Sequence, residues 1–148
     1  MEKVKIDIRF VGSHKTLPVY STSGSVAVDL IADIPGESLA LIPGEIVLVK
    51  TGIAVAIPDG YAGQVLPRSG QARNHLEVPN SPGLVDPDYR GEVGVLLENT
   101  SDEMKYIQRY ERIAQFMFTV VRQADFNIVE VLDETERGEG GFGHTGRV

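Results

Sequence analysis

The sequence predicts an all-β fold, and three observations carry the prediction. Apolar and polar residues alternate with period two near the start, short β-branched or apolar runs recur along the chain, and turn signals part them about every ten residues. Val4, Ile6, Ile8 and Phe10 alternate with Lys5, Asp7 and Arg9, which reads as a strand with one wet face. Further strands are expected at Leu39–Ile42, Ile46–Ile57, Tyr61–Leu66, Val93–Glu98, Ile113–Val121 and Asn127–Val131. Between them stand Pro35-Gly36, Pro43-Gly44, Pro58-Asp59-Gly60, Pro82-Gly83 and Asp86-Pro87-Asp88, each a turn signal. Helical spacing is absent apart from a turn or two near Ser69–His75. Such a series implies a sandwich, a barrel or a jelly roll.

One domain is expected. A chain of 148 residues with 42% hydrophobic content can bury about two thirds of its unfolded surface. No repeat or linker interrupts it before Asp133, so we place a β body at 1–132 and a flexible glycine-rich arm at 133–148. Cysteine is absent, which excludes disulfides, thiolate zinc sites and a cysteine nucleophile and fits a reducing compartment. The N-terminus alternates at once rather than offering a signal-peptide core, and no apolar run is long enough to span a bilayer. A cytoplasmic location is expected, or a host-cell interior for a viral protein. His14, His75 and His144 have no metal-triad spacing. The net charge of −7 disfavours nucleic acid and anionic lipid as partners. An anionic ligand would therefore need a locally positive site, built from arginines and a divalent cation; nine of the fourteen basic residues are arginine.

Residues Arg137–Gly146 hold five glycines, one arginine and one aromatic, a composition that cannot pack a core. Half-glycine segments lose much backbone entropy on ordering, so they order only when something holds them, typically a ligand approached by bare backbone. An anion carrying a planar ring suits this arm: Arg137 for the charge, the N–H groups of Gly143 and its fellow glycines as a lining, Thr145 for a hydroxyl, and Phe142 for stacking. A solvated tail is the plain alternative, against which Phe142 argues. Gly138, Gly140 and Gly143 also match G-x-G-x-x-G, but that fingerprint must open a helix inside a βαβ unit, and no helix follows.

Four other stretches carry candidate chemistry. Pro67-Arg68-Ser69-Gly70 ends a strand and sets a guanidinium, a hydroxyl and a free N–H in consecutive positions, donors that suit phosphate oxygens. Asn80–Gly91 carries two turn clusters around Gly83-Leu84-Val85, as in a β-hairpin or a tight pocket wall. The Asn80 carboxamide can pair with the O4 and N3–H edge of a uracil-like ring while neighbouring backbone completes the set. Asp86 could accept a proton from an attacking water, and Tyr89 could lie against a sugar. In Arg112-Ile-Ala-Gln115, Ile113, Gln115 and Met117 share a face, so Gln115 is a polar group that must find a partner. Asp29, among Ser25–Leu30, is a carboxylate between apolar neighbours, suited to a metal shell or to a turn. Each stretch alone also reads as an ordinary turn or cap.

Together, their content and order resemble the five motifs of the homotrimeric dUTPase family, from Ser25 to Gly146. Val26-Ala-Val-Asp-Leu30 is similar to the first motif, Pro67–Gly70 to the second, Gly83–Gly91 to the third, Arg112–Gln115 to the fourth and Arg137–Gly146 to the fifth. The resemblance implies a distorted jelly-roll β-barrel, a homotrimer with active sites between subunits, and Mg²⁺-dependent cleavage of dUTP to dUMP and pyrophosphate. That reaction limits uracil incorporation into DNA and supplies dUMP for thymidylate synthesis. By the same resemblance, Asp86 activates the water that attacks the α-phosphorus. Arg68, Ser69, Gly70 and Gln115 hold phosphates, and Asp29 meets the metal through water. Asn80 with Gly83, Leu84 and Val85 reads the base, Tyr89 excludes a 2′-hydroxyl, and Arg137, Phe142, Gly143 and Thr145 close over the substrate.

Two positions depart from the family pattern. Ala27 stands where glycine is usual, and Gln71 where leucine is usual. Alanine tolerates positive φ poorly, so a shifted loop around Asp29 is expected. Two other readings compete. In dCTP deaminases, a similar family, a glutamate lies ten residues past the motif aspartate, where this chain has Leu96; Glu98, on the same strand face but about 6–7 Å further on, could serve only through a bulge. A nucleotide-gated binding protein would hold dUTP without turning it over.

Overall fold

Alternating burial along ten short strands produces two facing sheets with the apolar core between them. The structure, a computed structural model, describes residues 2–141. Its elements are β1 (Asp7–Phe10), β2 (Ala27–Ile31), β3 (Ser38–Leu41), β4 (Ile46–Ala56), β5 (Tyr61–Leu66), α1 (Ser69–Arg73), β6 (Leu76–Glu77), β7 (Gly83–Val85), β8 (Glu92–Asn99), β9 (Lys105–Gln108) and β10 (Arg112–Val120). One sheet runs β1-β4-β8-β6, the other β2-β10-β5-β7, and β3-β9 form a short ribbon. All these pairings are antiparallel. The fold is the all-β, distorted jelly-roll barrel that the sequence implies.

β8 shows the logic most plainly. Val93, Val95, Leu97 and Asn99 point inward and are buried, while Glu92, Gly94, Leu96 and Glu98 take the half-covered face. Opposite them lie Val28 and Leu30 of β2, Val65 of β5 and Phe116 of β10, all within one buried cluster. Asn99 is one of the polar residues buried here, and its carboxamide is fully used. Nδ2 donates to the carbonyls of Leu41 (3.0 Å) and Glu103 (2.7 Å), and Oδ1 accepts from the Ser101 N–H (3.0 Å) and hydroxyl (2.7 Å). Buried polar groups persist where partners complete them. The β4–β8 register slips between Lys50 and Ala54, around Gly52 at φ +72°. A side chain there would also press within 2.7 Å of His14 Nε2 and the Asp33 carboxylate, so glycine is required twice over.

Several expectations are corrected. Asn127–Val131 forms no strand: Phe126, Ile128 and Val131 are 89%, 98% and 82% exposed. Alternation selects a strand only where a partner offers hydrogen bonds and a face to bury, and no described segment of this chain does so. β2, β6 and β9 are additional strands, and Ala27 opens β2 in regular register with Met117. It is not among the residues of positive φ, so the strain expected of alanine at that position does not arise. Gly83–Val85 is an edge strand on β5 rather than a hairpin closed on itself. Ile113 does not share a face with Gln115, because the β2–β10 register slips between Arg112 and Ala114, burying Ile113 and Ala114 in succession. The short helix expected near Ser69 is present as α1.

Candidate functional site

β10 is the axis on which the first cluster is built. Gln115 lies opposite Asp29 of β2 on one side and Leu66 of β5 on the other. Arg68 follows two residues after Leu66, at the extended residue that precedes α1. Three candidates from separate stretches are therefore drawn together by strand pairing alone. Asp29 is held by two cations: Arg68 Nε donates to Oδ1 at 2.7 Å, and Arg112 Nη1 stands 3.6 Å from Oδ2. Arg68 Nη1 also donates to the Arg112 carbonyl at 3.1 Å. Among the described residues no hydrogen bond engages Arg68 Nη2, so that edge of the fork remains available to an oxyanion. Ser69 and Gly70 are exposed beside it, and α1 has no side-chain cap, so the reading of Ser69 as a cap does not hold.

The second cluster lies in the Asn80–Gly91 segment. Gly83 and Val85 are buried against β5, whereas Leu84 is 66% exposed. A side chain at Gly83 would sit 3.1 Å from the Asn80 Nδ2 and 3.4 Å from Val65, so the bare backbone lets the carboxamide close on the strand. After β7 the chain turns, with the Tyr89 N–H donating to the Asp86 carbonyl at 3.2 Å. Arg90 Nη1 fastens this turn through the carbonyls of Pro87 (2.5 Å) and Tyr89 (3.0 Å). The Asp86 carboxylate is exposed. The Tyr89 hydroxyl donates to the Glu92 carbonyl at 3.0 Å, and its ring lies so close over Gly91 that a Cβ there would overlap it.

The two clusters do not meet within one chain. Val85 pairs with Gly63, which sets Asp86 beside Ala62, while Arg68 lies past the other end of β5. At about 3.3 Å per residue the separation is roughly 15–20 Å. Asn80, at the opposite end of β7 from Asp86, faces the Leu66 end of β5. In the arm, Arg137 Nε donates to the Gly140 carbonyl at 2.8 Å and closes a local turn. Phe142, Gly143 and Thr145 lie outside the described residues.

Two participants were not assigned site roles from sequence. Arg112 is the second cation on Asp29; its place three residues before Gln115 was the available signal. Gln71 is buried and donates from Nε2 to Glu111 Oε1 (2.8 Å) and to the Arg112 carbonyl (3.0 Å). The β4–β8 register runs unbroken from Lys50↔Gly94 to Ile46↔Glu98, so no bulge carries Glu98 to the place of Leu96 and the deaminase reading loses its carboxylate.

On an all-β scaffold the chain thus sets an arginine fork and an amide at one end of β5 and a carboxylate turn at the other. The dUTPase family model matches residues 13–146. The chain belongs to the dUTPase family. It is 50% identical to the deoxyuridine 5'-triphosphate nucleotidohydrolase of Fusobacterium nucleatum subsp. nucleatum, across 99% of this chain and 100% of that protein. Among solved structures it is similar to the Staphylococcus bacteriophage 80alpha dUTPase with dUPNHPP, at 25% identity and a TM-score of 0.86, covering 96% of this chain and 98% of that one. A mutant dUTPase of phage phi11 of S. aureus, described with a structural Mg(II) ion, shares the fold at 20% identity and a TM-score of 0.79, covering 88% of this chain and 99% of that one. No helix among the described residues is long and apolar enough to cross a membrane.

Proposed function

We propose that this chain hydrolyses dUTP to dUMP and pyrophosphate, at sites completed between three copies of the chain. One observation carries the reading: Asp29, Arg68 and Gln115 converge at one end of β5 while Asp86 stands at the other, so two half-sites of one reaction lie on opposite ends of each subunit. In the assembled site, a water oxygen attacks the α-phosphorus, the bond from that phosphorus to the bridging oxygen breaks, and pyrophosphate leaves. Asp86 takes the proton of the water, assistance worth about 10²–10⁴ in rate. Arg68, with Ser69, Gly70 and Gln115, holds the phosphoryl oxygens on which charge spreads. Asn80 and the backbone of Gly83–Val85 read uracil, and Tyr89 covers the face of the deoxyribose where a 2′-hydroxyl would project.

No group of three acidic or imidazole side chains converges among the described residues, and both Asp29 oxygens are within ion-pair distance of arginine. A divalent cation would therefore be held mainly by the substrate's own phosphates, with Asp29 the one carboxylate here that would meet its hydration shell. When bound, it neutralises phosphate charge and polarises the phosphoryl oxygens. The arm of residues 133–148 closes over the γ-phosphate and base, with Arg137 exchanging its Gly140 carbonyl for phosphate and Phe142, Gly143 and Thr145 completing the cover. Removal of dUTP limits uracil incorporation into DNA, and the dUMP product feeds thymidylate synthesis, a cytoplasmic role. The test is pyrophosphate release from dUTP, UTP, dTTP and dCTP, with and without Mg²⁺. Turnover confined to dUTP and dependent on the metal is the expected result, and binding of dUTP without turnover overturns the reading.

A further inference from the structure

We propose that Gln71 is a positioning residue for the phosphate grip: its carboxamide fixes the Arg112 carbonyl against which the Arg68 guanidinium is set. The inference rests on the functional reading above and adds a residue to it. Gln71 is 5% exposed, and a buried carboxamide persists only where its donors are used. Both are: Nε2 donates to Glu111 Oε1 at 2.8 Å and to the Arg112 carbonyl at 3.0 Å. That same carbonyl accepts Arg68 Nη1 at 3.1 Å. Carboxamide and guanidinium therefore share one acceptor.

The acceptor sits at the edge of a register slip: Arg112 pairs with Ile31, but the β2–β10 register shifts between Arg112 and Ala114. On the far side of that pair the ladder is locally disrupted, so the side-chain tie adds a hold on the Arg112 peptide that regular pairing supplies elsewhere. Glu111 anchors the far side of the tie through Oε2, which accepts the Gln108 N–H at 2.8 Å. Once the Arg112 backbone is fixed, its side chain reaches Asp29 Oδ2 while Arg68 takes Oδ1, so one buried amide sets the aim of both arginines. Leucine would fill the same volume and donate nothing.

The test uses Gln71→Leu and Gln71→Met, which keep the volume and remove the donors. The readouts are steady-state dUTP kinetics and calorimetric binding of two probes, inorganic tripolyphosphate and deoxyuridine. Misaimed arginines should raise KM for dUTP and weaken tripolyphosphate binding about tenfold, with kcat within about twofold and deoxyuridine affinity unchanged. A merely structural role would lower the melting temperature and weaken both probes together, or neither, and either result overturns the proposal. If Gln71→Leu does not fold at the assay temperature, Gln71→Met carries the comparison. A wild-type chain that binds tripolyphosphate without hydrolysing dUTP overturns the functional reading alone, because the probe arm still reports on Gln71. A wild-type chain that binds neither probe overturns both.

Discussion

Arg68 Nε and Asp29 Oδ1 lie 2.7 Å apart, although 39 residues separate them in the chain. Both side chains are about a quarter exposed, at 27% and 21%, so desolvation offsets much of the Coulomb gain and the pair is weak evidence for stability. Its importance is geometric: a carboxylate on the Nε edge orients a planar fork whose other edge can meet phosphate. Arg68→Lys should fold normally, with a melting temperature within a few degrees of wild type, yet lose roughly ten- to a hundredfold in kcat/KM for dUTP. Kinetics and calorimetry on the same preparation test this. Unchanged kinetics would make the pair a surface feature.

The distance along β5 between Asp86 and Arg68 leads to a complementation experiment. Asp86→Asn should retain dUTP binding and lose nearly all turnover, and Arg68→Ala should be nearly inactive through lost binding. Co-refolded in equal amounts, the two variants place an intact Arg68 beside an intact Asp86 in about a quarter of randomly mixed intersubunit sites. Pyrophosphate release should recover to about that fraction of wild type. If both residues acted within one chain, no mixture would recover activity.

Gly91 controls Tyr89. Because a Cβ at Gly91 would overlap the tyrosine ring, Gly91→Ala must swing the ring away and break its bond to the Glu92 carbonyl. The expected consequence is the one expected of Tyr89→Ala: the preference for dUTP over UTP narrows about tenfold, because the ring proposed to exclude the 2′-hydroxyl is displaced. The ratio of kcat/KM values for the two substrates measures it. An unchanged ratio would move sugar selection to another residue.

What the sequence made legible follows the strength of the local signal. Ile46–Ala56, Tyr61–Leu66 and Arg112–Val120 carry long apolar runs, and all three are strands within a residue or so of expectation. β9 went unseen because only Ile107 is buried in it, which leaves no alternation to detect. Asn127–Val131 alternated and formed nothing, since period alone does not supply a partner. Motif order singled out Asp29, Arg68 and Gln115 without any knowledge of contacts. The shared Arg112 carbonyl could not be anticipated, because it depends on a register slip between two strands more than 80 residues apart that leaves no mark in composition.

Asp33 offers a pH test away from the site. Burial alone would raise its carboxyl, but the Ser13 hydroxyl and N–H both donate to it, and His14 and Arg109 lie near, so the carboxyl is held below its ordinary value. The Ser13 N–H stands 2.6 Å from Oδ2, and the Ser13 hydroxyl is itself steadied by Arg109 Nη2 at 2.9 Å. With the folded-state pKa below the unfolded one, the ionised group stabilises the fold above the unfolded value of about 3.9, and that contribution disappears as pH falls through the folded value. Ser13→Ala removes the hydroxyl and should lower the melting temperature at neutral pH by roughly 2–5 °C. Scanning calorimetry from pH 7 down to 3 should show the gap between variant and wild type holding down to about pH 4 and closing below it. A gap that persists undiminished in acid would mean that Ser13 acts through packing, independently of the Asp33 charge.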